Sequence, residues 1–382
     1  MAKQLSDFPR VSLCHQPTPL EAMPRLTSAL GGPKLWIKRD DCTGLATGGN
    51  KTRKLEFLIA DAIEKGADML VTQGAVQSNH VRQTAAAACK FGLDCHALLE
   101  RRVPDRAADY ETTGNVLFDQ MFGTTLEFRA AGLDMNAEAR AVTEKLAASG
   151  RKPYFIPGGG SNEIGALGYV SCAYELLAQI KANSLNVGWI VLATGSSGTH
   201  AGILAGLHAA GSNIPVMGIS VRQPEDKQIA LVHKLAESTA ALLTDEPLGV
   251  EKVIVDDGYV GKGYGQPTEG TIAAINLIAR REGVLLDPVY SGKGLAGMIG
   301  LIEQNYFDTD KDVIFLHTGG AAALFAYSSQ LAVPAELCVC CHILVLAGIA
   351  KLVGIANLAG VAKFAGIANL AVSDIAWQKI KL

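Results

Sequence analysis

The sequence predicts an α/β fold: two open, twisted, mostly parallel sheet domains, with the chemistry on the loops that leave the strands. Three observations carry that expectation. Short apolar runs alternate with helix-length segments from about residue 35 to residue 317. Many of these runs end in polar or glycine-rich loops, and ligands of such sheets sit beyond the C-terminal ends of the strands. The length of 382 residues, with 49% hydrophobic and 19% charged, is enough to bury the cores of two domains.

Taken in order, residues 1–34 contain Pro9, Pro17, Pro19, Pro24 and Pro33 and should wrap as an extended arm rather than form a helix. Leu35–Lys38 reads as a short strand. It runs into KRDDCTGLATGGNKTRKLEFL, where Gly48 and Gly49 precede Lys51 and a helix follows over Thr52–Ile63. Met69–Gln73 is a buried-strand run, Gly74–Asn79 a polar loop and Val81–Phe91 an alanine-rich helix. Cys95–Leu99, Thr125–Phe128 and Tyr154–Ile156 read as further strands, with a helix over Ala137–Ala148. PGGGSN, residues 157–162, is a seam before a second series, with a domain boundary near Pro157 to Gly165. There Trp189–Ala193 and Val216–Val221 are strands, Thr268–Arg281 is a helix, and Val313–His317 is a last strand ending in HTGG. The loops after the first and last strands must meet around one ligand, so the arm is expected to pack with the second series. The expected larger domain is residues 1–48 with 163–330, the smaller one residues 49–162, and residues 331–382 form an atypical tail.

A net charge of −3 points to no nucleic acid and no anionic membrane. The cysteines are scattered without a paired framework, as expected of free thiols in a reducing cytoplasm. The stretch MAKQLSDFPRVSL has no apolar core of a secretory signal. Asp40 and Asp41 lack a third ligand nearby, so they read as a turn with an ion pair to Lys38 or Arg39, and no metal is expected.

Lys51 carries the chemistry. Two glycines let the backbone approach a ligand closely, and the adjoining helix N-terminus favours anions and lowers the cost of a neutral amine. A neutral amine is what imine chemistry with pyridoxal phosphate (PLP) requires. The loop Thr194–Thr199, TGSSGT, offers backbone N–H groups and hydroxyls at a helix start, a cradle for a phosphate. Such a loop is often only a turn, and it lacks the lysine of a P-loop.

GGNKTRKLEFL, QGAVQSNHVRQTAAA, ATGSSGTHAG, GYGQPTEG, DPVYSGKG and LHTGG together resemble the 1-aminocyclopropane-1-carboxylate (ACC) deaminase and D-cysteine desulfhydrase family of PLP enzymes, over about residues 8–326. The resemblance implies fold type II, the tryptophan-synthase β-subunit type, with PLP between the two domains and a homodimer. By the same resemblance Lys51 is the Schiff-base lysine, and Asn79 hydrogen-bonds the ring hydroxyl. Ser78 meets the substrate carboxylate or acts at its carbon skeleton. Gly195, Ser196, Ser197, Gly198 and Thr199 form the phosphate loop. Tyr290 and Tyr264 are the active-site tyrosines, and Thr318 faces the pyridine nitrogen. The deaminases carry an acid after the tyrosine, where this chain has Ser291; the weaker electron sink implied favours β-elimination over ring opening. RDDCTGLATGGNKTRK and CHALLERRVPD are most similar to the L-cysteate sulfo-lyase branch. That likeness implies elimination of L-cysteate to pyruvate, sulfite and ammonium, with Thr52, Gln77, Ser78 and Asn79 as substrate-binding residues and the first three as candidates for the sulfonate. D-Cysteine desulfhydration is the alternative, then ACC ring opening, and last a non-catalytic assembly or membrane-associated subunit. His80 and His200 read as hydrogen-bonded loop residues, and Arg101 and Arg102 as a solvated pair.

The resemblance stops near Tyr327. Ala347–Leu370 are hexads, AGIAKL, VGIANL, AGVAKF and AGIANL, whose period suits neither a helix face nor a membrane span. A turn of β-helix or a non-native extension are the other readings of this low-complexity tail. Cys338, Cys340, Cys341 and His342 lack zinc-site spacing.

Overall fold

Strands and helices alternate along the chain in the computed structural model, which describes residues 3–331. The chain divides into the units Met1–Ser328 and Ser329–Leu382, and both sheets lie in the first. It opens with β1 (Leu20–Ala22), α1 (Pro24–Leu30), β2 (Lys34–Arg39), α2 (Lys51–Glu64), β3 (Met69–Ala75), α3 (Asn79–Lys90) and β4 (Asp94–Glu100). Next come α4 (Gly114–Met121), β5 (Thr125–Arg129), α5 (Met135–Ala148), β6 (Pro153–Phe155), α6 (Glu163–Ala182), β7 (Val187–Thr194) and α7 (Gly198–Ala209). The series closes with β8 (Val216–Ser220), α8 (Glu225–Ala240), β9 (Ile254–Asp256), α9 (Glu269–Glu282), α10 (Ser291–Glu303) and β10 (Asp312–His317).

One sheet has the order β1-β2-β10-β7-β8-β9, parallel throughout except that β1 runs antiparallel to β2. The other, β5-β4-β3-β6, is all parallel. Residues on both faces of β3 and β10 are buried, which is why their apolar residues cluster in runs, Met69–Val71 and Val313–Leu316, rather than alternate. Ile190, Leu192, Ile314 and Leu316 pack against Tyr169, Leu176, Ile203 and Leu207 of α6 and α7. Crossover helices must cover a parallel sheet in this way.

The proline-rich arm departs from expectation, since it contains a helix. Pro24 occupies the first position of α1, where its missing N–H is no loss and its fixed φ suits the helix. The rest of the arm is tied down by Glu56, whose carboxylate accepts the N–H groups of Leu13 and Cys14, both at 2.9 Å. The glycine seam is a tight turn over Gly158–Gly160. Asn162 then caps α6, accepting the N–H of Gly165 at 2.8 Å.

A buried ionic cluster anchors α2. Arg53, fully buried, donates to Asp40 at 2.8 Å and to Glu175 at 2.9 Å. Lys38 pairs with the same Glu175 and donates to the carbonyl of Thr18 at 2.8 Å. Tyr169 adds a hydrogen bond to Asp40 at 2.7 Å. Asp40 therefore pairs with Arg53 rather than with its sequence neighbours, while Asp41 pairs with Arg39 at 2.7 Å. Among the described residues no helix is long and apolar enough to cross a membrane, and no group of three His, Cys, Asp or Glu side chains could hold a metal. The hexads and the segment Cys338–His342 lie outside the described residues.

Candidate active site

Three neighbouring parallel strands deliver the site's loops from their C-terminal ends. The loop after β2 leads to Lys51, the loop after β7 is Gly195–Ser197, and the loop after β10 brings Thr318. The loop after β3 adds Ser78 and Asn79 from the other sheet. The glycine turn before Lys51 is clamped from several sides. Gly48 adopts φ +74°, and a Cβ there would lie 2.0 Å from the carbonyl oxygen of Asp41, so only glycine fits. Thr43 holds the N–H of Gly49 at 2.7 Å, and Arg82 donates to the carbonyl of Gly48 at 2.7 Å.

Lys51 opens α2 and faces a cavity of about 440 Å³ that also touches Ser78, Asn79, Tyr264 and Tyr290. Its amine donates to Asn50 Oδ1 at 2.8 Å and lies 6.0 Å from the Tyr290 ring centroid. Burial disfavours its charge and Asp287 opposes that effect, leaving the amine titrating at about 8. Asn50 in turn donates to Thr199 Oγ1 at 2.9 Å, and its N–H to the carbonyl of Thr318 at 3.0 Å. One asparagine thus ties the lysine to two of the other loops.

A recess of about 30 Å³ adjoins this cavity, bounded by Asn50, Asn79, Gly195, Ser196, Thr199 and Thr318 among others. It meets the start of α7, where first-turn amides have no carbonyl partner within the helix. The N–H of Gly198 is held by Ser161 Oγ at 3.2 Å, and Ser161 also donates to Ser196 Oγ at 3.0 Å. Lys54, one helical turn beyond Lys51, is buried beside the start of α7 but lines neither the recess nor the cavity. It donates to the carbonyl of Gly159 at 3.0 Å, and a Cβ on Gly198 would sit 2.8 Å from its amine. Burial and the neighbouring Lys51 push its pKa well down. The unpaired amides of a helix N-terminus, with hydroxyls of Ser196, Ser197 and Thr199 beside them, suit an anion, and a phosphate supplies one. This recess therefore fits the phosphate of PLP, with Lys51 in reach of the ring and Asn79 and Thr318 on its walls. Sequence reasoning missed Lys54 and Ser161; the spacing of Lys51 and Lys54 on one helix face was the available signal.

The two tyrosines meet. Their hydroxyls are 2.6 Å apart and their rings stack edge to face, with centroids 5.7 Å apart. Burial raises both phenol pKa values, Tyr290 well above the usual range, so both carry their protons at neutral pH. Tyr290 is positioned by Asp287, whose carboxylate accepts the N–H groups of Val289 and Tyr290 at 3.0 Å and of Ser291 at 2.7 Å. Ser291 spends its hydroxyl on the same carboxylate at 2.6 Å and lines neither the cavity nor the recess. Asp287 was not singled out from sequence, although an aspartate a few residues before a helix start, here three before Tyr290, is a capping signature.

Other expected residues turn away. Thr52 is fully buried, hydrogen-bonded to Gln83 at 3.0 Å and Thr43 at 3.1 Å, and does not reach the cavity. Gln77 is committed to Tyr110 and Thr113 carbonyls at 2.6 and 3.0 Å and to the N–H of Asn115 at 2.9 Å. Of the four candidates for binding substrate, Ser78 and Asn79 line the cavity, and Thr52 and Gln77 brace its surroundings. His80 and His200, read from sequence as loop residues, instead lie in the first turns of α3 and α7 and line the cavity and the recess; His80 shares a hydrogen bond with Thr72 at 2.8 Å, and burial lowers the pKa of His80 and, to about 4, of His200. Arg101 and Arg102 part company. Arg101 pairs with Glu111 at the surface at 2.8 Å, whereas Arg102 enters the cavity wall.

The profile of the family described as "Pyridoxal-phosphate dependent enzyme" matches residues 11–319. The chain is 46% identical to a D-cysteine desulfhydrase of Klebsiella pneumoniae over 329 residues, 86% of this chain and 99% of that one. It is 46% identical to a D-cysteine desulfhydrase of Yersinia pestis over 332 residues, 87% of this chain and 99% of the other. Its structure resembles that of an ACC deaminase homologue with TM-score 0.76 and 36% identity, covering 86% of this chain and 96% of that one. A tomato threonine deaminase shares the fold at TM-score 0.61 and 16% identity, covering 86% and 91%.

Proposed function

The chain belongs to the pyridoxal-phosphate-dependent enzyme family, and from that premise we propose that it is a carbon–sulfur lyase which eliminates the sulfur substituent from a cysteine-like amino acid, releasing pyruvate and ammonium. PLP supplies an electron sink that makes the Cα–H of a bound amino acid acidic. Lys51, with its amine near neutrality, is the base placed to take that proton. That amine, enclosed beside the paired tyrosines and next to an anion recess, is the single observation that carries the reading. Ser78 and Asn79 hold the substrate, Ser196, Ser197 and Thr199 hold the phosphate, and Thr318 faces the ring.

D-Cysteine is the leading substrate, supported by the 46% identity to two D-cysteine desulfhydrases along nearly their whole length. This places the alternative substrate ahead of the L-cysteate expected from the sequence motifs. L-Cysteate stands as the second reading because cations, Arg102, Arg222 and Lys234, line the same cavity and suit a sulfonate.

The test is pyruvate release from the PLP-loaded protein given D-cysteine and L-cysteate in parallel, with sulfide and sulfite assayed. Pyruvate with sulfide from D-cysteine is the expected result; pyruvate with sulfite from L-cysteate alone would establish the second reading. Lys51→Ala should slow either reaction by at least about a thousandfold. A variant that keeps wild-type turnover would remove Lys51 from the mechanism.

A further inference from the structure

We infer that Arg102 receives the departing sulfur, stabilising the negative charge that builds on it as the Cβ–S bond breaks. The inference rests on the carbon–sulfur lyase reading and assigns that site its leaving-group residue. Arg102 lies just past the C-terminal end of β4, where ligands of a parallel sheet are expected. Its side chain is 17% exposed and lines the cavity that holds Lys51, Tyr264 and Tyr290.

Its hydrogen bonds show which edge is free. The Nε of Arg102 pairs with Glu100, whose other carboxylate oxygen accepts the N–H of Gly132 at 3.0 Å. Glu100 is itself only 4% exposed, so the pair orients the guanidinium rigidly. Among the described residues the two terminal nitrogens of Arg102 have no hydrogen-bond partner. The guanidinium carbon lies 5.4 Å from the Tyr264 ring centroid, Tyr264 hydrogen-bonds Tyr290 at 2.6 Å, and the Tyr290 ring lies 6.0 Å from the Lys51 amine. A substrate whose Cα–H faces Lys51 therefore has its β-substituent between the tyrosines and an open guanidinium edge. Arg222 and Lys234 extend the positive wall toward solvent, and Glu163 is the acid that shares it.

The electron count is closed by this arrangement. The Cα–H proton passes to Lys51, its bonding pair becomes the Cα–Cβ double bond, and the Cβ–S pair leaves on sulfur. The departing species is hydrosulfide from D-cysteine or sulfite from L-cysteate, and either is an anion at the moment of departure. The enamine product, once released, takes up one water to give pyruvate and ammonium. A fork of N–H donors aimed where charge develops is the kind of group whose removal costs about a hundredfold or more in rate.

The experiment compares Arg102→Met and Arg102→Lys with wild type, all PLP-loaded, on the active sulfur substrate and on β-chloroalanine of the same stereochemistry, whose chloride leaves without help. Arg102→Met should lose about a hundredfold or more in kcat/KM on the sulfur substrate and only a few-fold on the chloro compound, with Arg102→Lys in between. Sulfate, titrated calorimetrically as a probe of the anion site, should bind about tenfold or more weakly to Arg102→Met. Equal losses on both substrates, or unchanged sulfate affinity, would overturn the inference and leave Arg102 as a prop for Tyr264. A wild-type protein that turns over β-chloroalanine but neither sulfur substrate would instead overturn the lyase reading on which the inference rests.

Discussion

Lys51 is costly to keep where it is, and that cost is measurable without any turnover assay. Its amine titrates at about 8 in the folded protein against an ordinary 10.5. Below about 8 the group is charged in both the folded and the unfolded chain, and burial costs about 3 kcal/mol. Between the two values the unfolded chain holds a proton that the folded chain has released, so this contribution to stability improves as pH rises. Above 10.5 the amine is neutral in both states and the penalty is gone. In cofactor-stripped protein, Lys51→Met should therefore be more stable than wild type at pH 7 by about 3 kcal/mol in denaturant unfolding, with the gap closing toward pH 10. A gap that stays constant across that range would mean the amine is charged and compensated in the folded protein. The single-residue roles that sequence exposed were those with a local signature, such as the glycine-flanked Lys51. Arg102 was read as solvated because nothing in ERRV distinguishes an arginine turned outward to Glu111 from one turned into a cavity; only the neighbouring strand and Tyr264 decide it.

At the scale of elements, α2 matters most, because it carries Lys51 and Lys54 and is fastened by Arg53. The cluster of Arg53, Asp40, Glu175 and Lys38 is buried, so removing one acid leaves a cation without compensation rather than merely losing a contact. Asp40→Asn should cost about 3–5 kcal/mol in urea unfolding and weaken PLP binding, since Arg53 lies two residues from the Schiff-base position. A loss below about 1 kcal/mol would show that Glu175 alone suffices. Against the opposing effect of burial, Arg53, aided by Lys38, holds both Asp40 and Glu175 below their usual pKa values. The stability this contributes is present above the ordinary carboxylate range and is lost as pH falls through the lowered values. Elements were largely legible in advance because the strands are unbroken apolar runs and the loops carry glycine. Helix α1 was not, since proline density was read as excluding a helix when one proline sat at the position that tolerates it. The cluster was not legible because Glu175, on α6, lies 122 residues beyond Arg53 and comes to it only in the fold.

For the whole molecule, the question is where the working enzyme ends. The relatives match over 329 to 332 residues, 99% of their own length, while the chain has 382. Among the described residues, the last segment that touches the site's frame is Ala321–Tyr327. The Tyr327 hydroxyl donates to the carbonyl of Gly265 at 2.9 Å and lies 3.3 Å from that of Tyr110. Gly265 follows Tyr264 directly and adopts φ +71°, with Val103 and Tyr327 so close that no side chain fits there. Tyr327 thus braces the loop that presents Tyr264 against Tyr290 and Arg102. Two truncations should behave oppositely. A chain ending after Leu331 keeps this brace and should bind PLP and turn over substrate with unchanged kcat/KM. A chain ending after Gly320 loses it, so Tyr264 is no longer held, and kcat should fall by about tenfold or more even where the cofactor absorbance persists. If the longer truncation product were inactive, residues beyond Leu331 would be part of the catalytic unit.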